Sequence, residues 1–215
     1  MPDAAIEEVP KDQRFGFLGR PGAQVWQLPQ AVLGKHVHGE IDPHLWEDVR
    51  NAKAYVQAIA ATLAVVDPAG KVEYDRNRDA YSRELDVLNQ EMTDIIATIP
   101  REQRQLVTTH DAFGYLAKAY GLTVAGFVVP NPAQEPSAAQ VRELTRTVRE
   151  LKVRAVFVEP NLARRAAVLQ RVAADAGVQV CLLHGDTFSP KAPDYIQMMR
   201  WNAHELQRCL TKETS

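Results

Sequence analysis

The feature that most constrains the fold is an alternation of short apolar segments with amphipathic helical patterns from residue 105 onward. Segments rich in branched aliphatic residues are typical of strands, and each is followed by apolar residues at helical spacing. The predicted strands are residues 106–109, 123–129, 155–158 and 179–183, and the predicted helices are residues 111–120, 137–151, 162–176 and 194–210. Such alternation forms parallel sheets with right-handed crossovers. We therefore predict an α/β fold with a parallel four-stranded sheet flanked by helices.

Two longer helical patterns precede this region. The first is predicted to begin at Asp42, a favourable N-cap followed by proline at the first helical position, and to end before Asp67. The second covers residues 72–99 without an internal glycine or proline, which is long for a globular helix and typical of a helix that braces two lobes. Residues 1–41 are irregular, with only a weak strand pattern.

This pattern divides the chain into three parts. We predict a partial N-terminal lobe over residues 1–71, a linking helix over residues 72–100 and a C-terminal α/β lobe over residues 101–215.

Composition excludes several classes of function. The formal net charge is −2, so the chain lacks the basic surface that binds nucleic acid or anionic membranes. Phosphate-loop, dinucleotide-binding, serine-hydrolase and HExxH zinc-protease motifs are absent from the sequence. The two cysteines, Cys181 and Cys209, are far apart in sequence and form no CxxC motif, and we interpret Cys181 as a small buried apolar residue rather than part of a disulfide framework.

Three metal-binding side chains follow predicted strands or begin a helix. His110 comes directly after the first strand, Asp186 follows the fourth, and His44 lies in the first turn of the helix predicted from Asp42. Parallel sheets bind ligands at the carboxyl ends of their strands, and a helix N-terminus favours neutral imidazole. Two imidazoles and a carboxylate suit zinc. Each residue also has an ordinary structural interpretation. His110 could cap or hydrogen-bond its turn, Asp186 could cap a helix or form an Asx turn, and His44 could be an exposed first-turn histidine.

Three further residues are weaker candidates. His184 could be the metal ligand after the fourth strand in place of its neighbour Asp186, although its side chain could face the other side of the strand. His38 belongs to a His-Val-His tract that binds metal loosely or is simply solvated. Glu159 ends the third strand and could support a metal ligand, cap the next helix or pair with Arg164 or Arg165.

Six short motifs occur in order along the chain: residues 42–46 (DPHLW), 109–116 (THDAFGYL), 135–137 (EPS), 157–160 (FVEP), 185–187 (GDT) and 195–202 (YIQMMRWN). Together they resemble the solute-binding proteins of zinc and manganese ABC importers, whose two lobes are joined by a rigid helix. Residues 107–116 resemble most the actinobacterial anchored-repeat branch of that family.

The resemblance implies that His44, His110 and Asp186 bind a metal ion between the lobes. Manganese-type members tend to carry a carboxylate where this chain has His110, so zinc is the expected ion and manganese is less favoured. The implied partners are the permease and the ATPase of an importer. The expected function is an extracytoplasmic metal receptor, not an enzyme.

The chain also departs from the family. Members are usually longer, with a full N-terminal lobe that supplies another histidine and with an export signal. We expect this chain to lack most of that lobe, so that water, His38 or a partner completes the site. No signal peptide is recognised. The expected location is the cell surface, with membrane contact through the permease or a missing lipid anchor, or the cytoplasm if Met1 is the true start.

Two alternatives remain open. One is an α/β remnant that kept its motifs but no longer takes part in transport. The other is a metal-dependent hydrolase, which would need Glu159 or Asp111 as its general base.

Overall fold

The computed structural model describes residues 42–211. Its centre is a sheet of four parallel strands in the order β2-β1-β3-β4, so the α/β prediction is confirmed. The strands are β1 Gln105–His110, β2 Thr123–Val129, β3 Ala155–Val158 and β4 Gln179–Leu182. The helices are α1 Val49–Val66, α2 Lys71–Ala97, α3 Gly114–Tyr120, α4 Ala138–Glu150, α5 Ala163–Ala176 and α6 Tyr195–Thr211, with single 3₁₀ turns at Leu45–Glu47, Pro68–Gly70 and Arg101–Gln103.

Helices cover both faces of the sheet. Helices α4 and α5 pack on one face, and α2, α3 and α6 lie on the other. The strand order reverses at β1, because the chain goes from β1 to β2 on one side and then to β3 on the other. A crevice forms at the carboxyl ends of strands where the order reverses, which is where open α/β sheets bind ligands. Residues at the ends of β1 and β3 therefore meet at this crevice.

Helix α2 packs against both α1 and α6, and it makes fewer contacts with α3. Leu85, Leu88, Met92 and Ile96 recur at spacings of three and four residues and are fully buried. No helix within residues 42–211 is both long and apolar enough to span a membrane.

Local chemistry explains the helix ends. Ser137 and Gln140 form a capping box at the start of α4. Gly121 and Gly177 have φ values of 71° and 70° and end α3 and α5, because glycine adopts the left-handed conformation without steric cost.

The predicted start of the first helix is wrong. The chain is irregular from Asp42 to His44, makes one 3₁₀ turn, and enters α1 only at Val49. Asp48 caps α1 by accepting a hydrogen bond from the backbone N–H of Arg50. Asp42 instead accepts a hydrogen bond from the N–H of His44, which bends the chain before the helix starts.

The interpretation of the cysteines is also wrong. Cys181 on β4 and Cys209 on α6 form a disulfide, with their Cα atoms 6.6 Å apart. Both are buried, as expected for Cys181, but the crossover through α6 brings together residues that are 28 positions apart. The bond closes the segment that contains Asp186.

Candidate metal centre

The structure brings together three side chains that are distant in sequence. His44 precedes the 45–47 turn, His110 ends β1, and Asp186 lies in the loop after β4. One nitrogen of each imidazole and one carboxylate oxygen all lie within 4.8 Å of one another. The rings of His44 and His110 meet edge to face at 5.3 Å, and His110 Nε2 is 3.7 Å from Asp186 Oδ2. We call these three residues the triad.

Asp42 orients His44. Its Oδ1 accepts a hydrogen bond from the backbone N–H of His44 at 3.0 Å and lies 2.8 Å from Nδ1 of the same residue. Both residues are buried. A carboxylate at Nδ1 favours the tautomer with its proton on that nitrogen, so Nε2 keeps its lone pair for a cation. The helix-dipole argument for His44 does not apply, since His44 precedes one 3₁₀ turn rather than a long helix.

Glu159 orients His110 in the same way. Its Oε2 lies 2.7 Å from Nδ1 of His110, and its Oε1 accepts hydrogen bonds from the hydroxyl of Thr109 and from the N–H of His110. Burial alone would lower the pKa of His110, but the hydrogen bond and charge of Glu159, followed by the charges of Asp186 and Asp111, raise it above its ordinary value. Nε2 of His110 is directed toward Asp186.

Asp186 sits on the exposed side of the site. Its side chain is 33% exposed, whereas those of His44 and His110 are 7% and 1% exposed. The indole N–H of Trp46 donates to the carbonyl of Gly185 at 3.1 Å, and the hydroxyl of Tyr195 donates to the carbonyl of Trp46 at 2.6 Å. These bonds hold the loop against the 45–47 turn.

Gly185 allows the loop to approach the sheet closely. A Cβ at this position would lie 3.3 Å from both Glu159 Oε2 and Phe113 Cζ, a tighter spacing than side chains normally have. A larger residue would therefore push the loop, and Asp186 with it, away from His110.

None of the three weaker candidate ligands is found in the triad within residues 42–211. Glu159 contacts His110 rather than joining the triad. His184 lies outside the triad, with its ring on Trp201 at 4.8 Å and its backbone N–H and carbonyl bonded to the side chain of Asn202. Burial lowers the pKa of His184. His38 lies outside the described residues.

Three acidic residues at the site were missed as site residues by sequence reasoning. Asp42 was interpreted as a helix cap, and Asp111 only as a possible base. Burial raises the pKa of Asp111 to about 6, with Asp42 adding to the rise and the two histidines of the triad opposing it. Glu47 is fully buried, and the signal that could have found it is its spacing of three residues from His44. Carboxyl groups thus surround two imidazoles, an environment that suits a divalent cation.

Similar proteins are metal-binding components of transporters. The family described as zinc-uptake complex component A, periplasmic (ZnuA), matches residues 16–209. The manganese ABC transporter substrate-binding lipoprotein PsaA of Streptococcus pneumoniae is 30% identical over 200 residues, which cover 91% of this chain and 63% of PsaA. The zinc-binding protein TroA of Treponema pallidum is 31% identical over 180 residues, covering 80% of this chain and 58% of TroA.

The solved structure of periplasmic TroA has the same α/β architecture. It superposes with a TM-score of 0.72 at 29% identity, covering 85% of this chain and 68% of that one. The chain therefore spans about three fifths of the length of the curated relatives described above.

Proposed function

Because the chain belongs to the ZnuA family of periplasmic zinc-uptake components, we propose that it is an extracytoplasmic receptor that binds zinc, and manganese less favourably. It delivers the ion to the permease of an ABC importer, which an ATPase drives. The observation that carries this proposal is the convergence of the triad atoms within 4.8 Å.

The donor atoms support the choice of ion. Zinc accepts imidazole nitrogen at about 2.0–2.1 Å and carboxylate oxygen at about 2.0–2.2 Å, usually from four ligands. Small side-chain movements bring the triad to such distances from a common centre. Two nitrogens and one oxygen favour zinc over manganese, which is a harder ion and prefers oxygen ligands. PsaA is a manganese transporter lipoprotein and TroA a zinc-binding protein, so both ions are compatible with the family.

Exposure suggests the route of the ion. In the proposed cycle the cation reaches the histidines past Asp186, whose side chain is partly exposed. Release follows when the loop of Asp186 moves, because α2 restricts larger motion between the parts of the chain that it joins. The proposed division is a partial N-terminal lobe over residues 1–71, a linking helix over residues 72–100 and an α/β lobe over residues 101–215.

One observation weakens the hydrolase alternative. The carboxylate of Glu159 already contacts His110 Nδ1 and the hydroxyl of Thr109, and the residue is fully buried. It is therefore committed to orienting a ligand and is a poor general base, which leaves Asp111 as the one base named for that alternative.

Zinc titration tests the proposal. We expect the purified chain to bind one zinc ion and His44→Ala/His110→Ala to lose at least about a hundredfold in affinity, measured by competition with a chromophoric chelator. His204→Ala is the matched control, because His204 is exposed on α6 and should leave the affinity unchanged. Equal affinity and stoichiometry in the wild type and the double variant would refute the proposal.

Thermal denaturation separates the receptor from a remnant that no longer binds metal. An ion that binds only the folded state raises the midpoint, by about 2.7 kcal/mol of added stability at a hundredfold excess over Kd. We expect this rise with zinc in the wild type and none in His44→Ala/His110→Ala. A flat response in the wild type would support the remnant.

A further inference from the structure

Glu47 is a buried acid that has no hydrogen-bond partner among the residues that the structure describes. It is fully buried, and within residues 42–211 neither of its carboxylate oxygens has a hydrogen-bond partner. Burying a carboxylate without hydrogen bonds or an opposite charge is costly. Glu159 is equally buried, but Thr109 and His110 bond to it. Within residues 42–211, Glu47 therefore differs from Glu159 in that its buried carboxylate has no hydrogen-bond partner.

The 45–47 turn places Glu47 on the same side as His44. The backbone N–H of Glu47 donates to the carbonyl of His44 at 3.2 Å, which is the hydrogen bond of a 3₁₀ turn. In a 3₁₀ helix the side chains at positions i and i+3 are nearly eclipsed. Since His44 belongs to the triad, this backbone hydrogen bond places Glu47 one turn away from a member of the triad.

Electrostatics agree with this placement. Burial is the main cause that raises the pKa of Glu47 well above its ordinary value, and the charges of Asp186, Glu159 and Asp42 raise it further. Asp186 belongs to the triad, while Asp42 and Glu159 contact the Nδ1 atoms of its two histidines. The carboxyl of Glu47 is therefore within electrostatic range of the acids around the triad.

We propose that Glu47 is a fourth protein ligand of the metal ion, and this inference rests on the proposed function. Glu47 lies outside the 4.8 Å group of the triad, so binding requires its side chain to change rotamer toward the ion. The ion then supplies a positive partner to a carboxylate that has no hydrogen-bond partner within the described residues. Two imidazoles and two carboxylates complete the four-coordinate arrangement that zinc prefers.

A second carboxylate also changes selectivity. Oxygen donors suit manganese better than imidazole does, so Glu47 adds more to manganese binding than to zinc binding. With Glu47 as a ligand, the ratio of zinc affinity to manganese affinity is smaller than the two histidines alone would give. The loss of Glu47 should increase this ratio.

The test compares Glu47→Gln and Glu47→Leu with the wild type. Zinc affinity should fall at least about tenfold in both variants, and manganese affinity should fall further. Cobalt bound in place of zinc should show a changed visible absorption spectrum, because that spectrum reports coordination number. Asp48→Asn is the matched control: Asp48 is the next residue and is also buried, but its carboxylate pairs with Arg50. It should keep both affinities and the cobalt spectrum.

Stability distinguishes a ligand from a purely structural acid. Without metal, Glu47→Leu should be at least as stable as the wild type, because an unpartnered buried acid has been replaced by an apolar group. With zinc, its midpoint should rise less than that of the wild type.

Two outcomes would overturn the inference: unchanged zinc and manganese affinities in both Glu47 variants, or an unchanged cobalt spectrum. If either occurs while His44→Ala/His110→Ala still loses zinc, only the fourth ligand is wrong. If the double variant keeps its zinc, the proposed function fails, and the inference fails with it.

Discussion

The two sides of the triad are built differently. On the histidine side, His44 and His110 are buried, and a carboxylate lies behind each ring. On the aspartate side, Asp186 lies in a loop with its carboxylate partly in solvent. The histidine side is fixed by the fold before any ion binds. The aspartate side depends on how the loop is held, so it is the side on which binding and release can be controlled.

The contacts that hold each side differ accordingly. On the histidine side, His110 is the last residue of the buried strand β1, and Glu159, directly after β3, is also buried. Trp46 donates a hydrogen bond to Gly185 in the loop of Asp186, and the side chain of Asn202 both accepts from and donates to the backbone of His184. The disulfide joins the strand before the loop to the helix after it. If this contrast is correct, substitutions on the two sides should affect the free energy of unfolding by different amounts.

The largest effect is expected for Glu159→Leu. This change leaves the hydroxyl of Thr109 and the N–H groups of His110 buried without their acceptor, so the free energy of unfolding should fall by about 3–5 kcal/mol. Urea denaturation of the metal-free protein measures it. Glu143→Leu replaces an acid in an exposed ion pair with Arg146 and should cost less than about 1 kcal/mol. Similar values for both variants would contradict a preformed histidine side.

The disulfide variant Cys181→Ala/Cys209→Ala should have the next largest effect. A cross-link between residues 28 positions apart restricts the unfolded chain, and its loss should cost about 2–4 kcal/mol. Zinc affinity should fall as well, because the segment that carries Asp186 loses its closure. A reducing agent should lower the stability of the wild type and leave the variant unchanged. A variant as stable as the wild type would show that the other contacts suffice to hold the loop.

Asp111→Asn should stabilise the metal-free protein, in a manner that depends on pH. The pKa of Asp111 rises from 3.8 to about 6 in the folded state, so the folded protein binds more protons than the unfolded chain between those values. Stability therefore falls as pH rises through this window, and the cost is complete above about pH 6. The variant should be more stable by roughly 1–3 kcal/mol at pH 7 and no different below pH 3.8. A gain that does not vary with pH would contradict this origin.

The smallest effect on stability is expected for Asp186→Asn. Its side chain is partly exposed, so the free energy of unfolding without metal should change by less than about 0.5 kcal/mol. Zinc affinity should nevertheless fall by at least about tenfold, because the proposed site loses an anionic ligand. Asp86→Asn, at an exposed acid on α2, is the control for both measurements. A large loss of stability in Asp186→Asn would mean that the aspartate side is as fixed as the histidine side.

Much of the fold was predictable because local and long-range preferences agree. The predicted limits of β2 and β3 match those observed, since branched aliphatic residues fill strands that helices cover. The ends of α3 and α5 are where Gly121 and Gly177 predict them. The positions of His110 and Asp186 near one crevice follow from the same rule for strand ends.

The remaining features depend on contacts that a single sequence does not reveal. Both Asp42 and Asp48 are chemically able to cap α1, and the choice of Asp48 leaves Asp42 in contact with His44. The disulfide requires the position of α6 relative to β4, which no local pattern encodes. The burial of Glu47 contradicts its residue type, because glutamate is almost never fully buried unless paired.

Helix α2 gives the molecule a mechanical property. Its 27 residues extend about 40 Å, and both α1 and α6 pack against it. Displacing α1, and with it the turn of His44, would require this helix to bend, and elastic energy would restore its shape. If the proposed function is correct, large openings of the site carry a high energetic cost, and the ion exchanges through motions of about a side chain's length.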